Sequence, residues 1–314
     1  MRPCALIDLH CDTLTAMMAP GQCADTLNDP RSAISLSALP TAPHWAQCFA
    51  IFIPDELTGR GADRYYHTHQ ASFCRQMEKF SHLAAPCRTA EEVQGAWGSG
   101  RTAAILTVEN GSALAGKLDR IDLLARDGVR MMTLTWNGVN ELGSGNNTGQ
   151  GLTPFGRKAI RRMEAVGMLV DVSHLNDRGF ADLLDTARRP FVASHSNARA
   201  VCSHRRNLTD DQIREMVERK CLIGLNYYHA FLRDGGGARP EDLRRHVEHF
   251  LALGAQDCLA LGSDFDGADV PAWLAGPEQA VGLYDRFRAW GFSSALCDKI
   301  LYRNALDFFR VNLG

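Results

Sequence analysis

Eight short apolar runs recur along the chain: ALIDLH, CFAIFI, AAILTVE, RMMTLTW, MLVDVSH, FVASH, LIGLNYY and CLALGSD. Each closes on polar residues, and each is separated from the next by a stretch with helical periodicity. Such runs read as buried strands, and strands that alternate with helices must pair in parallel. Helical pattern is read over 91–97, 118–126, 154–165, 177–187, 210–219 and 240–253. Thr153 before Pro154 suits an N-cap with proline at the first helical position, and Thr209 with Gln212 fits a capping box. Eight strand–helix units match a closed (β/α)8 TIM barrel, an α/β fold of roughly 250 to 300 residues. An open doubly wound sheet with extra strands satisfies the same count, but no G-x-G-x-x-G follows the first run.

With 314 residues, 45% of them hydrophobic, the chain can bury one large core, and residues 1–314 are expected to form a single domain. A formal charge of -2 and a pI near 6.6 argue against a nucleic-acid surface. Ten cysteines without a C-x-x-C pair read as reduced core residues. The first run begins by residue 5, leaving no room for a signal peptide, and no apolar run reaches the roughly 18 to 20 residues that span a bilayer. These features lead us to expect a cytoplasmic protein with no membrane partner.

The residues that close the runs carry the chemistry. His10 and Asp12 end the first, Glu109 the third, Trp136 the fourth, His174 the fifth, His195 the sixth, Tyr228 the seventh and Asp264 the eighth. His10 and Asp12 are two apart, so on a strand they project to one side. In a barrel all these ends converge on the face where catalytic groups sit. Three imidazoles and three carboxylates in one mouth repel, or protonate, unless cations lie among them. Imidazole nitrogen with carboxylate oxygen is the ligand mixture of catalytic zinc. Five ligands, His10, Asp12, Glu109, His174 and His195, exceed the needs of one hydrolytic ion but suit two Zn2+ ions, with Glu109 as the bridge.

LHCD, TVENG, GLTPFGRKAIRRMEAVGMLVDVSHL, VASHSNARAVCSHRRNLTDDQI and GSDFDG resemble the renal (membrane) dipeptidase family, peptidase family M19, of the amidohydrolase superfamily. The similarity runs to YRNALDFFRV near the C-terminus. It implies a two-zinc (β/α)8 hydrolase in which His10 and Asp12 bind one ion, His174 and His195 bind the other, and Glu109 joins them. A hydroxide held between the ions would attack the peptide bond of a dipeptide. Arg206 would bind the free carboxylate of that dipeptide, and Asp264 would shuttle the proton. A homodimer is also implied. Away from this motif, an Arg-Arg pair is ordinarily solvated, and the first aspartate of GSDFDG is ordinarily a turn former.

One position departs from the family pattern. Trp136, in LTWNGVNELGSG, stands where other members have a histidine that contacts substrate. Its indole N–H donates one hydrogen bond but carries no charge, so that contact is altered, lost, or moved to Asn137 or Asn140. Trp136 itself reads best as a pocket wall, and Tyr228 as a second substrate-contacting position. The glycine- and asparagine-rich stretch after Trp136 and the RDGGGARP stretch after Tyr228 are candidate lids. Lactone, amide or phosphotriester hydrolysis on the same scaffold, or a metal-stabilised binding protein without turnover, are the competing readings.

Overall fold

The apolar runs form strands in the structure, a computed structural model that describes residues 4–19, 26–40 and 43–313. The barrel strands are β1 (Ala5–Cys11), β2 (His44–Phe52), β3 (Thr102–Glu109), β4 (Val129–Thr133), β5 (Leu169–Asp171), β6 (Val192–Ala193), β7 (Leu222–Leu225) and β8 (Leu259–Leu261). Every neighbouring pair is parallel, and β8 returns to β1, so the eight-stranded barrel closes. A three-residue strand, Ala84–Pro86, adds to the start of β3 outside the ring.

Alternation along the strands sends side chains to two apolar clusters. Ile7, Ala46, Ala103, Met131, Leu169, Val192, Leu222 and Ala260, at least one residue from each strand, form the inner one. The C-terminal helix Asn304–Asn312 joins it through Ala305, Phe308 and Phe309. The intervening positions, such as Phe49, Val108, Met132 and Ile223, face outward under the surrounding helices. The apolar runs are continuous because both faces of each strand are covered.

The helix starts follow the local chemistry. Thr153 accepts a hydrogen bond from the Gly156 amide at 2.9 Å with Pro154 in the first turn, and Thr209 and Gln212 make the reciprocal pair of a capping box. Three helical regions carry no marked periodicity in the sequence reading: Gly59–Lys79, Pro277–Ala289 and the run from Ser294 to Asn312. In Gly59–Lys79 the buried face includes His69, Ser72 and Gln76, so polar residues interrupt the apolar stripe that would have revealed it.

The closing seam rests on few strand contacts. β1 and β8 share the single register pair Asp8–Leu261, and side chains and turns complete the join. The Ser263 amide and hydroxyl donate to Asp8 at 2.8 and 2.5 Å, the Asp12 amide donates to the Phe265 carbonyl at 2.8 Å, and the Asp264 amide donates to the His10 carbonyl at 3.1 Å.

Of the ten cysteines, Cys23 lies outside the described residues. The other nine are free thiols, but the expectation of a core position fails for Cys4 and Cys74, which are exposed. Among the described residues no helix is long and apolar enough to cross a membrane.

Candidate active site

The strand ends bring the six ionisable residues together. His10 Nε2 lies 3.4 Å from Asp12 Oδ2, 3.4 Å from Glu109 Oε2 and 3.8 Å from Asp264 Oδ1. On the other side, His174 Nε2 lies 2.8 Å and His195 Nε2 3.8 Å from Glu109 Oε1. Glu109 thus turns one oxygen to His10 and Asp12 and the other to His174 and His195. Three overlapping groups have donor atoms within 4.8 Å of one another: His10, Asp12 and Glu109; Glu109, His174 and His195; and His10, His195 and Asp264.

Hydrogen bonds behind the ring set the imidazole tautomers. Asp171 accepts from the Ser173 and Ser194 amides, from the Thr133 hydroxyl at 2.7 Å and from the Ser194 hydroxyl at 2.5 Å. Ser194 has one hydroxyl hydrogen and spends it on that carboxylate, so its oxygen accepts from His195 Nδ1–H at 2.7 Å. His174 Nδ1–H likewise donates to Asn137 Oδ1 at 3.0 Å. Both rings therefore present bare Nε2 lone pairs, and these face each other at 3.1 Å.

Two lone pairs at that distance repel unless a cation lies against them. His10 Nε2 and Asp12 Oδ1 are also buried without a hydrogen-bond partner. Such atoms are costly to bury unless a ligand satisfies them, and this donor set of neutral imidazoles and carboxylates fits divalent cations. The second sphere of Asp171, Ser194 and Asn137 orients the ligand rings as metal-bound histidines require.

The electrostatics of the protein alone show the same tension. Burial and the Glu109 charge push the Asp12 carboxyl up to about 7, although His10 opposes the shift. Burial tends to discharge His10, but Asp12 and Glu109 outweigh it and raise the imidazole well above its ordinary value. Burial would also raise Glu109, yet a proton on His174 or His10 beside it holds the carboxyl well below the carboxylate range. His174 and His195 are lowered, first by burial and then by neighbouring cations including Arg206, which keeps them neutral. His174 and Asp264 adopt φ of 69° and 65°, a left-handed conformation that costs a non-glycine residue about 1–2 kcal/mol.

A cavity of about 750 Å3 opens over this cluster, lined in part by Asp12, Glu109, His174, Arg206, Tyr228 and Asp264. Arg206 is 5% exposed and has no carboxylate within 4 Å among the described residues. Its Nη1 and Nη2 reach only the Ser196 hydroxyl and the His195 carbonyl, both at 3.3 Å, and Nε has no partner. The guanidinium sits 5.3 Å from the Phe231 ring centre. Burial lowers its pKa to about 10. Asp264, Glu109 and Asp171 favour its charge from a distance, but a buried cation with no carboxylate directly paired to it is suited to an anionic ligand. Asp264 accepts from Asn226 Nδ2 at 2.9 Å through Oδ2, leaving Oδ1 toward His10.

Trp136 is part of the cavity wall, edge-on to Phe52 with ring centres 4.8 Å apart, and 6.2 Å from His174. Tyr228 lines the opposite part and packs edge-on against Phe231 at 4.8 Å. Asn140 donates to Asn110 Oδ1 and the Leu134 carbonyl, so its side chain braces the loop.

The stretch after Trp136 is built into the wall. Asn146 donates to the His174 carbonyl at 2.7 Å, and Asn176 donates to the Thr148 and Gln150 carbonyls. At Gly145 a Cβ would lie 1.9 Å from the Trp136 carbonyl oxygen, so only glycine fits there. Residues 233–240, the second glycine-rich stretch, are not part of the cavity lining. Asp8, Asp171, Ser194, Ser263 and the wall residues Phe52, Tyr65 and His69 were not singled out from the sequence. An aspartate inside an apolar run, as in ALIDLH and MLVDVSH, was the available signal for the first two.

Comparison with known proteins places the chain in one family. A sequence model described as membrane dipeptidase (peptidase family M19) matches residues 1–312. An uncharacterised Klebsiella pneumoniae protein of the pqqA 5′ region is 34% identical over 233 residues, covering 70% of this chain and 86% of that protein. The crystal structure of dipeptidase AC, a metallopeptidase of family M19, superposes with a TM-score of 0.93 at 27% identity, covering 99% of both chains. A metallopeptidase from Rhodobacter sphaeroides, solved with a phosphinate mimic of the dipeptide L-Ala-D-Ala, gives 0.92 at 25% identity, covering 99% of this chain and 100% of that one.

Proposed function

The chain belongs to the membrane dipeptidase family, peptidase family M19, and from that premise we propose that it hydrolyses dipeptides with two zinc ions as its cofactor. His10, Asp12 and Glu109 would hold one ion and Glu109, His174 and His195 the other. The observation that carries the reading is Glu109, whose two oxygens face two separate histidine-bearing groups. Bound zinc supplies Lewis acidity and brings the pKa of water from 15.7 to near 7.

The remaining steps belong to the protein. Arg206 receives the C-terminal carboxylate of the substrate, pairing the one buried guanidinium of the cavity with its missing anion. A peptide extended at its C-terminus would put an amide there instead, so short substrates are selected. Asp264, with Oδ2 anchored by Asn226, takes the proton of the attacking water at Oδ1 and returns it to the leaving nitrogen. Trp136 and Tyr228 shape the walls on either side. The family resemblance also supports a homodimer as the working assembly.

The test couples metal quantification to turnover on the purified protein, with a panel of dipeptides, including ones with a D-residue at the C-terminus, beside a lactone and a phosphotriester. About two zinc ions per chain and turnover confined to dipeptides are expected. Turnover of the lactone or phosphotriester with dipeptides untouched would overturn the reading.

A further inference from the structure

Resting on the dipeptidase reading, we infer that the cavity selects dipeptides whose first residue has a large apolar side chain, held by Phe52, Trp136 and Tyr65. The orientation follows from barrel order. Arg206 lies in the segment that leaves β6, whereas Phe52 is the last residue of β2, four strands away around an eight-stranded ring and so on the opposite rim. Tyr65 comes from the helix Gly59–Lys79 that follows β2, and Trp136 follows β4. A dipeptide with its carboxylate at Arg206 crosses the ligand cluster and directs its first side chain at that far wall.

The wall has the composition of an apolar subsite. Phe52 and Trp136 meet edge to face at 4.8 Å and a 68° tilt, and Met18 and Ala16 extend the surface. Phe52, Tyr65 and Trp136 are each only partly buried, so they keep surface turned to the cavity. The Trp136 ring centre is 6.2 Å from that of His174, so the wall begins next to the reacting bond. Phe52, Trp136, Tyr65 and Met18 carry no charge, and the only strong hydrogen-bonding side-chain groups among these four are the Trp136 N–H and the Tyr65 hydroxyl. Against this wall a lysine or aspartate in the first position would regain little of the water it lost, whereas leucine or phenylalanine would gain by burial. Arg206, the buried cation of the lining, belongs to the opposite rim.

The experiment reads kcat/KM of the zinc-loaded protein for two matched series, X-Gly and Gly-X, with X as Leu, Phe, Asp, Lys and Gly. Leu-Gly and Phe-Gly are expected to exceed Gly-Gly, Asp-Gly and Lys-Gly by about 10-fold or more, the scale set by small differences in apolar contact. Trp136→Ala and Phe52→Ala should each lower Leu-Gly and Phe-Gly about 10-fold more than Gly-Leu and Gly-Phe. Equal losses in both series, or Asp-Gly and Lys-Gly matching Leu-Gly in the wild type, would overturn the inference. The wild-type panel decides even if neither variant folds. Absence of any dipeptide turnover would remove the functional reading and this inference together, whereas turnover without a first-residue preference removes this inference alone.

Discussion

Replacing Arg206 should move activity and stability in different directions. The guanidinium is buried against Phe231, with two hydrogen bonds of 3.3 Å and an unpaired Nε. Its pKa falls from 12.5 to about 10 because burial disfavours the charged form. At about 1.4 kcal/mol per pKa unit, the folded state carries a penalty of about 3 kcal/mol at every pH below about 10. Arg206→Ala removes that penalty and forfeits the cation–π contact, stem packing and weak hydrogen bonds, together about 1–3 kcal/mol. The melting temperature should therefore stay level or rise.

Activity should fall, because the same cation is the counter-ion of the substrate carboxylate. Losing one partner of a desolvated charge pair costs about 2–5 kcal/mol, or roughly 30- to 5,000-fold in kcat/KM. The assay compares a dipeptide with its C-terminal amide. Wild type should prefer the acid strongly and Arg206→Ala should not, with zinc content unchanged in both. A variant that still discriminates acid from amide, or that loses more than about 2 kcal/mol of stability, would refute the reasoning.

Three further outcomes are expected. Ser194→Ala leaves Asp171 and His195 Nδ1 without their shared hydroxyl, so zinc affinity measured by chelator competition should fall about 10- to 100-fold, with Ser194→Thr restoring much of it; unchanged affinity would mean that the tautomer is set elsewhere. The raised pKa values of Asp12 and His10 stabilise the metal-free fold at low pH; Asp12 loses its contribution as pH rises from 3.8 to about 7 and His10 loses its own above 6.5, so the melting temperature of the chelated protein should fall as pH rises through this range. Over the same interval zinc affinity should rise, because both groups must shed protons to bind; affinity independent of pH would count against them as ligands.

The barrel was legible because its strands are buried on both faces, and the rule that parallel strands end at the functional rim then located His10, Asp12, Glu109, His174, His195 and Asp264 from their places in the apolar runs. The helix Gly59–Lys79 was not, because its inward face mixes Tyr66 and Phe73 with His69, Ser72 and Gln76. The cavity wall it supplies, Tyr65 and His69, went unseen with it. Asp171 and Ser194 escaped for another reason: their bonds join β5 to the end of β6, a pairing that depends on strand register rather than on spacing in one segment. The loop after Trp136 was a candidate lid from its glycines and asparagines, yet Asn140 and Asn146 donate their side-chain amides to backbone carbonyls and hold it in place.

The seam between β1 and β8 also dictates an order of assembly. Glu109, His174 and His195 all lie between residues 109 and 195, so a growing polypeptide has this half of the cation nest in hand before synthesis ends. Asp264 and Ser263, which tie down the end of β1 beside His10 and Asp12, arrive some 250 residues later and bring the longest-range contacts among the barrel strands. Contacts that distant form slowly, because the intervening chain must first be ordered. Closing the cylinder and bringing the Asp264 carboxylate to the ligand cluster are thus a single event.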